Sequence, residues 1–315
     1  MKILTIGIDV SKSKLDFWTS ENKFITIDNH ESSIVDYCDK ELKPYFGSKF
    51  SQVRIVLEST GKYHRLAHRI LSSYGFEVMV INPYQSRNFA RALNLICKTD
   101  KVDAKMLCEY GQTMKFNKIT VPTAQQELLL ELYQRKSQLQ GDLVREVNRF
   151  KVAHKTLIKS IEQHINFLKQ QIALIEQDLE IIVAKDPVLQ NKLEILISVP
   201  GVGKVLALTL LSCLPELGSV TRNQISALTG LAPINNDSGR SKGRRSIQKG
   251  RSQVRQSLYM PILSAIRSNP TIKKFYQHLK SQGKQGKVAI VACMRKLITI
   301  LNLMLKNNTK WNIAS

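Results

Sequence analysis

The sequence predicts an α/β domain over residues 1–120, a long helical segment over 121–190, and a basic, mainly α-helical domain over 191–315. Three observations support this division. Strand-like and helical patterns alternate in the first part, the second lacks proline between Pro122 and Pro187, and the third combines amphipathic helical spacing with few acids. The chain has 315 residues and is 43% apolar, which suffices for two domains with buried cores.

The first domain opens with three short strands, "KILTIGIDV", "KLDFWTS" and "KFITIDN", joined by turn-like segments. A helix, "ESSIVDYCDKEL", and a strand, "VRIVLES", follow. The helix "GKYHRLAHRILSSYG" precedes the strand "FEVMVIN", and another helix starts near "TDKVDAKML". This order predicts a mixed sheet covered by helices.

The helical segment carries an apolar seam with alternating spacings of three and four residues and one stutter, typical of a coiled coil. We expect it on one long helix that packs against a second protomer, with a helical hairpin inside one chain as the alternative. His154, in the same register, is expected at the interface rather than as a metal ligand. The seam residues are Val147, Phe150, Leu157, Ile161, Ile165, Leu168, Ile172, Ile175, Leu179 and Ile182.

In the third domain, "ISVPGVGKVLALTLLSCL" predicts a helix-hairpin-helix element. Gly201 and Gly203 allow a sharp turn that brings N–H groups against a phosphate, and Lys204 follows them. The alternative is an ordinary helix–helix turn that packs a core. The apolar stretch "VLALTLLSCL" is too short to cross a membrane, and the N-terminus does not resemble a signal peptide, so we expect a cytoplasmic protein.

Charge indicates a polyanionic partner. The net charge is +22, and residues 191–315 carry 20 Lys and Arg but three acids, with only Asp237 acidic after Glu216. The stretch "INNDSGRSKGRRSIQKGRSQVR" predicts a phosphate-binding clamp. Its basic residues are Arg240, Lys242, Arg244, Arg245, Lys249, Arg251 and Arg255.

The dispersed cysteines and histidines do not predict a zinc site. The five cysteines contain no CxxC pair. His64 and His68 are four residues apart, but with no third ligand nearby we expect a solvated helix face.

Four acids are candidates for a metal site. Asp9 ends the first strand and Glu58 ends "VRIVLE", so both emerge at one sheet edge if those strands are neighbours. Asp100 and Asp103 share one helix face. Together the four could hold two Mg²⁺ ions about 4 Å apart, as two-metal phosphoryl transfer requires. Each also has a structural reading, as a turn, a strand end or a helix cap.

The motifs "GIDVSKSKLD", "LESTGKY", "VINP" and "KTDKVDAKML" resemble the DEDD-type insertion-sequence transposases, whose N-terminal domain is RuvC-like (RNase H-like). "SVPGVGKVLA", "LTGLAP", "DSG", "LYMP" and "GKQGKVAIVACMRKL" resemble the C-terminal transposase domain of the same family of RNA-guided bridge recombinases. The match runs in order over nearly the whole chain.

The resemblance implies that Asp9, Glu58, Asp100 and Asp103 bind Mg²⁺, with Mn²⁺ as a substitute, and that Ser238 is the nucleophile, with Ser241 as the fallback. It also implies a coiled coil between the domains and a dimer or tetramer. The active site would combine acids from one subunit with the serine of another. A structured noncoding bridge RNA would pair with donor and target DNA during site-specific insertion.

Two other functions are compatible with the residues. In a metal-only nuclease resembling a Holliday-junction resolvase, water attacks and Ser238 contacts phosphate. A non-catalytic nucleic-acid scaffold would use none of the four acids. Strongly salt-dependent binding to nucleic acid is expected for all three functions.

Overall fold

The structure is a computed structural model that describes residues 2–44, 49–95, 97, 99–117, 119, 121–235, 237–238, 241–243 and 245–312. For Ser238, Ser241 and Lys242 it describes the main chain. The chain divides into two compact units, Met1–Val121 and Pro122–Ser315.

The first unit contains a five-stranded mixed sheet, as the alternation of strand and helix patterns predicted. The strand order is β3-β2-β1-β4-β5. β1 pairs antiparallel with β2, and β2 with β3, whereas β1–β4 and β4–β5 are parallel. The strands are β1 Ile3–Val10, β2 Lys14–Thr19, β3 Phe24–Asp28, β4 Gln52–Glu58 and β5 Glu77–Ile81.

Four helices accompany this sheet: α1 Glu31–Tyr37, which continues as a wider turn over Cys38–Leu42, α2 His64–Ser73, α3 Pro83–Ala92 and α4 Asp100–Thr113. Side chains of β1 alternate between the two faces of the sheet. Leu4, Ile6 and Ile8 join the core formed with α1 and α2. The intervening residues, from Thr5 to Asp9, therefore lie on the opposite face, where α4 packs.

The expectation of a solvated histidine face on α2 is wrong. His68 is 4% exposed and its Nε2 lies 3.2 Å from the carbonyl oxygen of Ile119. His64 is half-buried, and burial, with the neighbouring His68 charge, lowers its pKa. His64 and His68 therefore pack against other parts of the first unit. The sequence could not show this, because Ile119 is far from His68 along the chain.

The second unit begins with two helices, α5 Ala124–Phe150 and α6 Lys155–Lys185. They form an antiparallel hairpin, because Lys136 Nζ contacts Glu176 Oε1 at 2.7 Å and Gln125 Nε2 donates to the Ile182 carbonyl at 3.4 Å. The prediction of one continuous helix is thus wrong. His154 is the N-cap of α6, with Nδ1 2.9 Å from the Thr156 hydroxyl, and its place at an interface between protomers stays a prediction.

The apolar seam is used mainly inside the chain, as the alternative of a hairpin within one chain predicted, and packing of the seam against a second protomer stays a prediction. Ile161, Ile165, Leu168 and Leu179 are buried in the hairpin. Leu157, at the turn end, is 55% exposed. The hairpin joins the core of the second unit near its open end, where Leu129 and Leu179 are part of one apolar cluster with the later helices.

The remainder of the second unit is mainly helical, with two small strand pairs in the basic region. The helices are α7 Pro187–Ile197, α8 Lys204–Cys213, α9 Arg222–Leu228, α10 Ser252–Ser257, α11 Tyr259–Ser268, α12 Pro270–Ser281 and α13 Gly286–Asn307. The strands are β6 Pro233–Ile234, β7 Asp237–Ser238, β8 Ser241–Lys242 and β9 Ser246–Ile247.

Helix α13 has 22 residues and is longer than the apolar stretch "VLALTLLSCL", which is too short to cross a membrane. Among the described residues it is long and apolar enough to cross a bilayer, but half of its apolar window is buried inside the protein. Cys293, Leu297 and Leu301 lie in the core of the second unit. This burial is typical of a core helix.

Candidate active site

Two of the predicted acids lie side by side at one edge of the sheet. Asp9 is the penultimate residue of β1, and Glu58 is the last residue of β4. The parallel register pairs Ile8 with Leu57, so the next residue on each strand reaches the same edge. The alternation of side chains directs both carboxylates to the face that α4 covers.

The other two acids are at the start of α4. Thr99 is the N-cap, and its hydroxyl accepts a hydrogen bond from the Val102 amide at 3.2 Å. Asp100 and Asp103 occupy the first turn, where the helix dipole favours negative charge. Because α4 packs along β1 and β4, this turn lies near the strand ends.

The pKa of Asp9 reflects the proximity of the four acids. Burial raises its pKa from the ordinary value of 3.8 to about 6, and the negative charges of Asp103, Asp100 and Glu58 add to the increase. The Val10 amide, which donates to Asp9 Oδ1 at 3.0 Å, opposes it. The other three predicted acids therefore all lie close enough to Asp9 to act on its carboxyl group electrostatically.

The donor set fits a hard divalent cation, since carboxylate oxygens are the ligands that Mg²⁺ and Mn²⁺ prefer. In the conformation of the described residues, however, no three acidic, histidine or cysteine side chains are arranged to hold a metal ion. At Glu58, Oε2 accepts a 2.5 Å hydrogen bond from the Ser86 hydroxyl, which holds this carboxylate in place at the sheet edge.

Two residues that support the acidic side chains could not be predicted from the sequence. Ser86, on α3, is 1% exposed and fixes Glu58. Asn29 donates through Nδ2 to the carbonyl oxygens of Ser11 at 2.9 Å and Tyr63 at 3.1 Å, so it links the segments that follow Asp9 and Glu58. Both contacts are distant in sequence, and neither follows from a local pattern.

Glycines set the distance between α4 and the sheet. A Cβ on Gly7 would overlap the Ala104 carbonyl oxygen and the Cys108 amide nitrogen. A Cβ on Gly111, on the helix, would overlap the side chains of Thr5 and Val56. The helix can therefore approach β1 and β4 closely, which brings its acidic first turn to the strand ends.

Gly7→Ala is expected to destabilise the protein by about 1–3 kcal/mol, because backbone atoms would have to shift to admit the methyl group. The movement should also separate α4 from β1. Gly141→Ala is the control, since nothing lies within 4 Å of its Cβ position on α5 and alanine favours helix. Chemical unfolding of both variants measures the difference, and equal stabilities would contradict the packing argument.

The basic region is organised as two nested antiparallel strand pairs. We call residues 231–249 the basic loop. The outer pair joins β6 to β9, and the inner pair joins Asp237 to Lys242 and Ser238 to Ser241 through their main chains. These strands could not be predicted from the sequence, because each is only two residues long.

The ends of the basic loop are held together by close backbone contact. Gly230 and Gly250 have φ of 65° and 66°, and a Cβ on Gly250 would overlap the amide nitrogen and Cα of Gly230. Next to them, the Arg251 amide donates to the Leu228 carbonyl at 2.7 Å. The Arg251 guanidinium makes two 2.6 Å hydrogen bonds to the Glu216 carboxylate and one of 3.0 Å to the Cys213 carbonyl.

Comparisons with known proteins agree with the resemblance. A model described as a DEDD transposase of the IS110 type matches residues 6–158, and one described as "Transposase IS116/IS110/IS902 family" matches residues 193–277. The chain belongs to this transposase family. Members of the family are enzymes of DNA recombination, and the first match contains all four carboxylates.

Among curated relatives, pilin gene-inverting proteins of Moraxella bovis and Moraxella lacunata are each 25% identical to this transposase over 312 residues, covering 96% of both chains. The transposase for insertion sequence element IS1328 of Yersinia enterocolitica is 23% identical over 262 residues, covering 73% of this chain and 74% of its own. The first two alignments extend through both units.

Several predicted nucleic-acid-binding residues of the transposase have structural partners. Gly201, at φ 93°, packs against Ala265, as an ordinary helix–helix turn would require, whereas Gly203 faces open space. Lys204 Nζ lies 2.7 Å from Glu180 Oε2. The contacts therefore support core packing at Gly201, and the phosphate-binding role of this turn remains a prediction.

The basic residues of the predicted phosphate clamp also differ, because some have partners within the protein and others are exposed. Arg251 pairs with Glu216, and Arg255 donates to the Lys249 carbonyl at 2.8 Å, so both hold the ends of the basic loop. Arg245 is exposed. Arg240 and Arg244 lie outside the described residues, as do the side chains of Ser238, Ser241 and Lys242.

The Arg251–Glu216 pair gives a pH-dependent stability prediction. Burial of the Glu216 carboxyl raises its pKa, but the hydrogen bonds and charge of Arg251 outweigh this and leave the pKa below its ordinary value of 4.5. The folded state therefore favours the carboxylate. Its contribution is present above pH 4.5 and disappears as pH falls through the lower folded value.

Glu216→Gln should lower the free energy of unfolding by about 1–2 kcal/mol at pH 7, with a smaller loss near pH 3. Glu180→Gln is the matched control, because its ion pair with Lys204 is more exposed and should contribute less than about 1 kcal/mol. Denaturant unfolding at the two pH values measures both. A loss at Glu216 that does not depend on pH would contradict the assignment to the ion pair.

Proposed function

We propose that this transposase cleaves and rejoins DNA in a divalent-cation-dependent reaction, with Asp9, Glu58, Asp100 and Asp103 as the metal ligands. The observation that supports it best is the raised pKa of Asp9, which burial and the other three acids produce together. Such crowding of negative charge at one sheet edge is typical of sites that bind cations. A bound Mg²⁺ or Mn²⁺ would stabilise the charge that develops on the transferring phosphate.

We assign the nucleophile to Ser238. Its hydroxyl oxygen forms a bond to phosphorus while the bond from phosphorus to the sugar oxygen breaks, and the serine proton ends on the released sugar hydroxyl. One phosphate ester replaces another, so the reverse step rejoins DNA without ATP. The assignment rests on the family resemblance and on the position of Ser238 in the inner strand pair of the basic loop.

The partners in this proposal are donor and target DNA, a structured guide RNA and further copies of the chain. Base pairing by the RNA would choose the site, while the basic second unit binds backbone and shape. The names of the two Moraxella relatives describe inversion of a gene, a reaction that needs rejoining as well as cleavage. A dimer or tetramer would allow the acids of one subunit to act with the serine of another.

Metal removal tests the proposal directly. The purified protein, incubated with a plasmid that carries the element and with the transcript of its flanking noncoding DNA, should cleave and rejoin strands in Mg²⁺ or Mn²⁺. Addition of EDTA should stop cleavage, and excess Mg²⁺ should restore it. DNA binding without cleavage under every metal condition would instead support the non-catalytic scaffold.

A further inference from the structure

A large groove lies in the second unit, between α13 and the outer strand pair of the basic loop. Its volume is about 1400 Å³, and its floor is largely aliphatic, with Val288, Val291, Ile300 and Leu303 contributed by α13. Val288 and Leu303 are 49% and 56% exposed. Helix α13 lies outside both family-model matches, so neither match assigns it a role.

The groove is strongly basic. None of the described residues that line it is acidic. Lys296 Nζ lies 4.4 Å from the centre of the Phe275 ring, and the buried Arg295 Nε has no hydrogen-bond partner among the described residues. With Arg245 from the basic loop, the cationic lining consists of Arg222, Lys284, Lys287, Arg295, Lys296 and Lys306.

We propose that this groove binds an unpaired stretch of a DNA strand, with phosphates on the cations and base faces on the apolar floor. This inference rests on the proposed function, which makes DNA the substrate. A single strand has regularly spaced negative charges and exposes its base faces, so it matches both halves of the lining. A duplex keeps its base faces stacked inside, and the aliphatic floor would stay uncovered.

The lining favours DNA over RNA. Its neutral polar side chains already have partners in the chain: Thr221 with Gln224, Ser246 with Gln248, Thr299 with the Lys296 carbonyl, and Asn302 with Gly218 and Val220. A ribose 2′-hydroxyl against the aliphatic floor would lose water without an equivalent partner. The same saturation predicts binding with little sequence preference.

Fluorescence anisotropy of the full chain with a labelled, mixed-sequence 20-nucleotide DNA strand tests the proposal. The double variant Val288→Glu/Leu303→Glu places two negative charges on the floor at exposed positions and should weaken binding at least about tenfold. The control Val188→Glu/Met260→Glu adds the same charge at exposed positions on α7 and α11, and should weaken it less than about threefold. Circular dichroism establishes that both variants fold.

A second experiment tests two lysines that line the groove. Lys284→Gln/Lys287→Gln should reduce the dependence of log affinity on log salt by about 1.4, because each phosphate contact on a single strand contributes about 0.7. An RNA strand of the same sequence and the corresponding DNA duplex should both bind the wild-type protein more weakly than the single DNA strand does. The Val288→Glu/Leu303→Glu variant should also reduce their affinity less than it reduces that of the single DNA strand.

Three results would overturn the proposal. If the floor variant and its control lost equal DNA affinity, the groove would not be the DNA-binding site. If RNA bound more tightly than DNA and the floor variant weakened that binding, the groove would be an RNA-binding site. Unchanged DNA affinity with a lower mass in light scattering would make it a contact between protein copies. The binding arms contain no divalent cation, so their outcome is independent of the EDTA test of catalysis.

Discussion

Replacing Asp9 with asparagine is expected to abolish DNA strand cleavage while making the metal-free protein more stable. The loss should be about a thousandfold or more, corresponding to about 4 kcal/mol, because the variant removes a carboxylate that we propose as a central metal ligand. The gain arises because the Asp9 pKa of about 6 exceeds its ordinary value of 3.8. A raised carboxyl pKa means that folding disfavours the ionised form.

The sign of the stability effect follows from proton linkage. Between pH 3.8 and about 6 the folded protein binds more protons at Asp9 than the unfolded chain does, so the contribution of Asp9 to stability falls as pH rises through this range. At pH 7 and in EDTA, Asp9→Asn should therefore raise the free energy of unfolding by about 1–3 kcal/mol. Near pH 3.5 the variant and the wild type should be similar.

Divalent cations should reverse this order. If the four carboxylates bind Mg²⁺ as proposed, Mg²⁺ should stabilise the wild type against denaturant and have little effect on Asp9→Asn. Asp16→Asn is a second variant for comparison. Asp16 pairs with Asp9 across β1 and β2, and its Oδ1 accepts a 2.5 Å hydrogen bond from the Thr26 hydroxyl. If Asp9→Asn retained wild-type cleavage, the four acids would not be catalytic, and the scaffold function would be favoured.

The strand ends of this site could be predicted from the sequence because they depend on local patterns. Alternation in "KILTIGIDV" and "VRIVLES" locates both strands and places Asp9 and Glu58 at their ends. The approach of α4 could not be predicted, because it depends on Gly7 meeting the Ala104 backbone about a hundred residues later. Ser86 and Asn29 were missed for the same reason.

The break between α5 and α6 shows a different limit. Residues 151–154 contain neither proline nor glycine, so the apolar spacing continues through them as if the helix did. The chain turns there because α6 can bury its apolar residues against α5, an advantage that appears only in the folded unit. Likewise, the charge of Arg251 predicted a phosphate contact, whereas Glu216 is near enough in the fold to pair with it.

Ser238→Ala is expected to abolish both recombination and any covalent bond between protein and DNA. Denaturation of a reaction in progress should trap labelled DNA on the wild-type chain, and peptide mapping should locate the label at Ser238. The alanine variant should bind DNA normally, because removal of one hydroxyl leaves the charge of the basic loop unchanged. A loss of chemistry without a loss of binding would therefore identify a role in the reaction.

Ser241 provides the closest control. Its main chain pairs with that of Ser238 across the inner strands, so Ser241→Ala tests a hydroxyl in the same small hairpin. Recombination should persist in that variant. If Ser238→Ala kept the covalent product and Ser241→Ala lost it, Ser241 would be the nucleophile instead of Ser238. Cleavage by both variants with no protein-bound DNA would favour attack by water, and the basic loop would then serve to hold phosphate.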